Sequence, residues 1–473
     1  MAINDVSNKT VLKAGALNFV GTFLLKGITY ISVPIFTRIM DPVDYGYVST
    51  YTTYIAFLVI IVGLSLNTAT ANARIDFDNR FDDYNSSIIK TSFVIFIIEW
   101  VICNLLFGVI GPLLSINRTH LNIVLVIAFS EYIVNSYYKI NTVDFKFKEN
   151  LKVSISNAII SLVLSVTLVT LLNQDITAKL VGQGAFVFFV AVILLIYLGF
   201  IKSKEYQYTD VLYALRFAIP NIFHQISQLI MSQSDRVIIL NLCGAVEAAK
   251  YSVVYNFGLI IQMIWNAINE VWVPWLYRQL FSKKYELIIK LSKIYILIFT
   301  FGTCLLMLIA PDLMAILAPE SYFDAKPIIA PIVLAVYFIF IYSFFVNIEI
   351  YNKKNKYMAI FTVIAAVVNI CGNYLLIPIY GYQAAAYTTL ASYILLAGLH
   401  FLLSTYILKI NIYKASTFLP SIIMAIAVDI LSFIFLENYI IRYCFVLCLI
   451  IVGIVFTMKK KNVITEFVES IKK

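Results

Sequence analysis

Between Thr10 and Met458 the chain is a near-continuous series of apolar runs of about 20 residues, separated by short charged connectors. A run of that length crosses the hydrocarbon core of a bilayer as a helix. Backbone in hydrocarbon has no water to bond, so only helices and closed barrels span it. These runs are solidly apolar instead of alternating, which selects helices. The sequence therefore predicts an all-α polytopic membrane protein.

Composition narrows the reading further. Hydrophobic residues make up 61% of the chain and charged residues 13%, against roughly 25% charged in a soluble domain. That leaves one large membrane domain in 473 residues and no soluble appendage. A net charge of +9 is expected to orient loops and not to bind nucleic acid. The six cysteines form no CxxC pair, so they read as small hydrophobes with no disulfide framework. The polar stretch Met1–Lys13, followed by a long apolar run, does not look like a cleavable signal.

Fourteen spans are expected, at about 14–37, 47–71, 88–110, 121–139, 152–172, 180–200 and 212–234, then 251–273, 287–310, 327–350, 357–378, 384–408, 417–436 and 441–458. An even count puts both termini on one side. With the amino terminus inside, 27 of the 35 lysines and arginines are cytoplasmic, 7 are outside, and Lys26 lies within span one. Both termini are therefore expected in the cytoplasm.

A faint repeat crosses the chain. Thr37-Arg38-Ile39-Met40 followed by Asp44-Tyr45-Gly46 is echoed by Asp235-Arg236-Val237-Ile238 followed by Glu247 and Lys250-Tyr251. The copies lie six spans apart and share an orientation, the pattern of a parallel repeat. The expected division is a first lobe over 1–208 (helices 1–6), a second over 209–410 (helices 7–12), and helices 13–14 with a tail over 411–473.

A charge at the hydrocarbon centre costs roughly 2.5–3.5 kcal/mol, so each needs a reason. Lys26 either faces a wet cavity and an anionic substrate or pairs with an acid. Glu99 and Glu131, in spans three and four, either bind a coupling proton or Na⁺ or serve as partners of Lys26. Span seven carries Asn221, His224, Gln225, Gln228, Ser232 and Asp235 on one helical face, and span eight carries Gln262, Asn266, Asn269 and Glu270 at similar spacing. Such rows either glue helices by hydrogen bonds or line a hydrated cavity, and their length favours the cavity. His224 alone reads as a packing residue, and His120 and His400 lack His or Cys partners. No phosphate loop, HExxH, paired-Cys zinc site or GxSxG elbow is present. Neither enzyme, cofactor nor metal is expected.

Pro34-Ile35-Phe36-Thr37-Arg38-Ile39-Met40-Asp41-Pro42-Val43-Asp44-Tyr45-Gly46 resembles the end of helix one in bacterial polysaccharide flippases. These are the Wzx-type O-antigen and capsule translocases of the multidrug/oligosaccharidyl-lipid/polysaccharide superfamily. Ser232-Gln233-Ser234-Asp235-Arg236-Val237-Ile238-Ile239-Leu240 resembles their helix-seven end. Asn369 and Asn373 before Leu375-Leu376-Ile377-Pro378-Ile379-Tyr380-Gly381 resemble their helix-eleven exit. Ala249 and Ala384 stand where that family often has glycine.

The resemblance implies two lobes around a cationic cavity in the bacterial cytoplasmic membrane. It implies a monomer that flips undecaprenyl-diphosphate-linked oligosaccharide outward by alternating access, alongside membrane lipid and polysaccharide polymerase machinery. Lys26, Arg216 and Arg236 suit the diphosphate, and His224, Gln228, Gln262, Asn266 and Asn269 suit the sugars. Glu99, Glu131, Arg38, Asp235 and Glu270 are expected to couple Na⁺ or H⁺ or to gate, with Arg38 and Arg236 each beside an acid, Asp41 and Asp235. A cation-exchanging multidrug exporter and a membrane glycan polymerase or acyltransferase are the alternatives.

Overall fold

The computed structural model describes residues 27–28, 30–172, 176–410 and 412–459. Lys26 lies outside them. Among the described residues every regular element is helical. Residues 30–39 form α1, followed by α2 (Pro42–Ile61), α3 (Thr70–Asp76), α4 (Phe81–Leu105), α5 (Phe107–Leu113), α6 (Arg118–Val143), α7 (Phe147–Leu171) and α8 (Ile176–Ile196). Then come α9 (Tyr208–Leu242), α10 (Ala245–Phe281), α11 (Tyr285–Leu317), α12 (Ile329–Tyr351), α13 (Asn355–Tyr380), α14 (Ala384–Leu402), α15 (Ala415–Ile434) and α16 (Tyr439–Lys459).

Nine described helices are long and apolar enough to cross a membrane, or ten if the bent pair Pro42–Ile61 and Leu66–Asp76 is one span. The expectation of an all-α polytopic membrane protein is met. α9 and α10 fall outside that group because of their polar rows. At 35 and 37 residues they are roughly 52 and 55 Å long, well beyond a hydrocarbon core of about 30 Å.

The chain forms two compact units, Met1–Ala249 and Lys250–Lys473. The division falls inside α10. α9 packs within the first unit because its foot is anchored there. Buried Asp210 receives both Arg80 guanidinium nitrogens, at 2.7 and 3.1 Å, and the Ser87 hydroxyl at 3.2 Å. The connector before α9 is strapped to α4: Ser86 donates to the carbonyls of Gly199 and Ser203, Lys90 to those of Lys204 and Glu205, and Lys202 pairs with Asp82 at 2.6 Å.

The second span is broken. Its two halves meet at 59°, and Leu64 and Ser65 adopt φ of 45° and 47°, which is costly for non-glycine residues. Polar groups freed by a break inside a membrane need partners. Ser65 donates to the Ile60 carbonyl, Thr70 to the Asn67 carbonyl, and the Asn67 amide to Ser136 Oγ on α6 at 2.9 Å. Lys139 Nζ donates to Asn67 Oδ1 at 2.7 Å. Elsewhere the first unit is held by aromatic and small-residue packing: Phe96 stacks on Phe129 at 4.3 Å, and Ser92 bonds Tyr132.

The second unit is built on α12, which is buried along nearly its whole length. Trp272 of α10 and Tyr295 of α11 pack on its Phe344 and Phe340 in edge contacts. Buried Arg442 fastens α16 to α11 through the Leu308 carbonyl and Asp312, at 2.8 and 2.7 Å.

Two pairs of helices end alike. α6 ends with Phe145 at φ 58° and Lys146 N–H on the Asn141 carbonyl, at 2.7 Å. α12 ends with Lys353 at φ 59° and Lys354 N–H on the Glu349 carbonyl, at 2.8 Å. Likewise α8 runs into a π-turn, Tyr197–Ile201, and α14 into another, Leu403–Ile407. These are the fourth and tenth, and the sixth and twelfth, of the expected spans.

Candidate transport site

The expected polar row on α9 is a single face. Asn221, His224, Gln225 and Ser232 are half-buried, Gln228 is exposed, and Asp235 is buried. His224 Nε2 and Gln228 Nε2 lie 3.3 Å apart, and Ser232 donates to the Gln228 carbonyl at 3.0 Å. Phe223 and Ile219 project elsewhere and are 69% and 52% exposed, as apolar residues facing lipid are. Arg216, further back along α9, is exposed.

At the other end of this row, Arg236 is half-buried, approaches Gln233 Oε1 at 3.5 Å and acts electrostatically on Tyr45. Next to Tyr45 the backbone of α2 presses on the start of α10, because Gly46 has no side chain to hold it off Ala245. Arg38 is exposed and donates to the Pro34 carbonyl at 2.9 Å. The structure thus brings Tyr45, Gly46 and Arg236, drawn from both echoed segments, to one place in the first unit.

The α10 row lies in the second unit. Gln262 and Asn269 are half-buried, and Asn266 and Glu270 are exposed. Asn269 Oδ1 accepts from the Asn347 amide on α12 at 3.2 Å, and Trp265 Nε1 donates to Ser343 at 3.3 Å. Part of this row therefore serves packing, while Asn266 and Glu270 are exposed.

Glu99 and Glu131 are both half-buried. Glu99 Oε2 is shielded and has no hydrogen-bond partner, and no bond joins it to Glu131 among the described residues. The contact of α4 with α6 is made instead by Ser92–Tyr132, Phe96–Phe129 and Asn104–Asn122. Among the described residues no cluster of three or more His, Cys, Asp or Glu could hold a metal ion.

The sequence reading named Asn369, Asn373 and His400 without their partners, and did not single out Thr388, Thr389, Glu349 or Asp429. Asn369, Asn373, Thr388 and Thr389 form a buried network joining α13 to α14, with Asn369 donating to Thr389 at 3.1 Å and Thr388 to Asn373. Asp429, on α15, has one shielded oxygen without a partner. Fully buried Glu349 and His400 bond each other, the imidazole Nδ1 lying 2.9 and 3.0 Å from the carboxylate oxygens. The signal for these was intramembrane ionisable or amide residues on helices whose adjacency only the fold reveals. His400 was passed over because its partner is a carboxylate and not a second His or Cys.

Residues 11–280 match the model of a family described as polysaccharide biosynthesis protein. A Haemophilus influenzae protein described as "Lsg locus putative protein 1" is 21% identical over 374 residues, covering 76% of this chain and 89% of its own length. An uncharacterised membrane protein of the same organism is 21% identical over 369 residues, with 76% and 88% covered. In fold the chain is similar to the lipid II flippase MurJ in an inward closed conformation, with a TM-score of 0.69 at 15% identity, covering 94% of this chain and 99% of that one. It is also similar to a mutant of the Vibrio cholerae MATE transporter VcmN, with a TM-score of 0.55 at 13% identity, covering 86% and 98%. The chain belongs to the polysaccharide biosynthesis protein family and has the fold of the MOP-superfamily transporters.

Proposed function

We propose that the protein is a flippase that carries an undecaprenyl-diphosphate-linked oligosaccharide from the inner to the outer leaflet of the bacterial cytoplasmic membrane, for O-antigen, capsule or exopolysaccharide assembly. One observation carries the reading: a polysaccharide-biosynthesis family match over 11–280 joined to a fold shared with a lipid II flippase. Neither a diphosphate nor an oligosaccharide crosses hydrocarbon unaided, and a transporter fold in such a family answers that need.

Helices 1–6 (1–208) and 7–12 (209–410) act as alternating-access lobes, with 411–473 appended and both termini cytoplasmic. Lys26, Arg216 and Arg236 take the diphosphate. His224, Gln228, Gln262, Asn266 and Asn269 bond sugar hydroxyls. Glu99, Glu131, Arg38, Asp235 and Glu270 gate the path or couple it to Na⁺ or H⁺. The test is flipping of a fluorescent lipid-linked oligosaccharide in proteoliposomes, read by quenching from outside. Loss of the inner-leaflet signal with time supports the reading. No flipping, with gradient-driven uptake of organic cations instead, supports a multidrug exporter.

A further inference from the structure

In the Glu349–His400 pair both side chains are 0% exposed. Glu349 lies on α12, the buried centre of the second unit, and His400 lies on α14, packed against it. Tyr342 of α12 stacks on the imidazole at 5.7 Å, and Phe361 of α13 meets it edge-on at 5.1 Å. The lysines on neighbouring elements are exposed: Lys353, Lys354 and Lys356 after α12, Lys409 and Lys414 after α14, and Lys290 and Lys293 on α11. On α15, Asp429 acts on Tyr387, and Tyr413, ahead of that helix, bonds Ser292. Among the described residues no other charge is bonded to the pair.

One hydrogen lies between Nδ1 and the carboxylate. The second ring nitrogen, Nε2, is buried with no partner. Its protonation decides the net charge: with a proton the pair is neutral, and without one it carries a buried negative charge. Enclosing such a charge is costly, and an ionisable group of this kind in a membrane calls for a functional reason. Three residues beyond His400, α14 changes to the π-turn Leu403–Ile407, a helix irregularity frequent at functional sites.

We infer that Glu349 and His400 form a proton-binding site, which takes a proton from water onto Nε2 when α14 parts from α12 and holds it while the two are packed. Uptake converts a neutral imidazole beside a carboxylate into an imidazolium–carboxylate pair, and release is the reverse. Enclosure is favourable only in the loaded form, so occupancy biases the α12–α14 contact. The use of that bias to drive cargo rests on the flippase reading. The proton site itself does not.

The chain has three histidines, so nitrogen-15 histidine spectra of the wild-type protein in lipid can be assigned with His120→Gln and His224→Gln. His400 is expected to show both doubly and singly protonated rings when the medium is taken from acid to alkaline. A single protonation state across that range overturns the site, whether or not the protein flips lipid. In proteoliposomes, an imposed pH gradient is expected to speed wild-type flipping at least threefold, and E349Q/H400Q, which keeps an uncharged hydrogen-bonding pair, is expected to flip without that response. A double variant that responds as the wild type does overturns the coupling. A wild type that flips nothing, while His400 still titrates, overturns the flippase reading alone.

Discussion

The carbonyl oxygen of Ala245 occupies the place a side chain on Gly46 would need: a Cβ at Gly46 would lie 1.8 Å from it. Backbone is the obstacle, so no rotamer change relieves the clash. Gly46 closes the first echoed segment and Ala245 stands within the second, so the two copies touch backbone to backbone. Gly46→Ala is expected to push α2 away from the start of α10 and cost about 1–3 kcal/mol. Thermal unfolding in detergent should show a lower midpoint, lower again for Gly46→Val. An unchanged midpoint in both would contradict the contact.

Arg80 and Asp210 make the next prediction. Asp210 is fully buried and Arg80 is 31% exposed, so the guanidinium compensates a charge that has no access to water. Arg80→Gln strands that carboxylate and is expected to destabilise the first unit by about 3–5 kcal/mol. Asp210→Asn in the same chain should recover most of the loss, because Ser87 and the glutamine can still bond an amide. A double variant no more stable than R80Q would mean that the pair is not what anchors α9.

Much of this architecture was legible because its causes are local. Apolar run length specifies a membrane helix whatever surrounds it, and the α9 row from Asn221 to Asp235 is visible through helical period alone. The echo around Arg38–Gly46 and Asp235–Lys250 was readable too. What stayed hidden depends on adjacency. Glu349 and His400 are 51 residues apart, and only helix packing makes them partners. Arg80 and Asp210 looked like ordinary loop charges. The break at Leu64 and Ser65 carries no proline. There, a Cβ on Gly63 would lie 2.2 Å from the Tyr132 ring, so the bend is shaped by a helix some 70 residues away.

The connector after α6 gives a pH prediction. Burial alone would raise the Asp144 carboxyl, but Lys146 and Arg74 more than offset it and hold the group below the usual carboxylate range. Its bonds to them are 2.9 and 3.1 Å. A carboxyl lowered on folding stabilises fully above its unfolded value of about 3.9, and the gain disappears as pH falls through the lower folded value. Asp144→Asn should therefore melt below the wild type at neutral pH, and the two melting curves should converge as the medium is taken below about pH 3. A gap that persists unchanged in acid would assign the effect to shape instead of charge.

Lys139 supplies the last test, at the broken span. Its ammonium bonds Asn67 Oδ1, the Asn67 amide bonds Ser136, and Ser136 donates to the Tyr132 carbonyl at 2.8 Å. This chain is what lets Leu64 and Ser65 keep positive φ inside a membrane helix. Lys139→Leu leaves the Asn67 oxygen without its donor, a cost of about 1–3 kcal/mol for a buried acceptor. Lys139→Gln keeps a donor and should lose less than half as much. Hydrogen exchange should show the loss locally, with faster exchange over 62–70 than in α12. Uniform acceleration across both units would mean that Lys139 supports the whole fold and not the break.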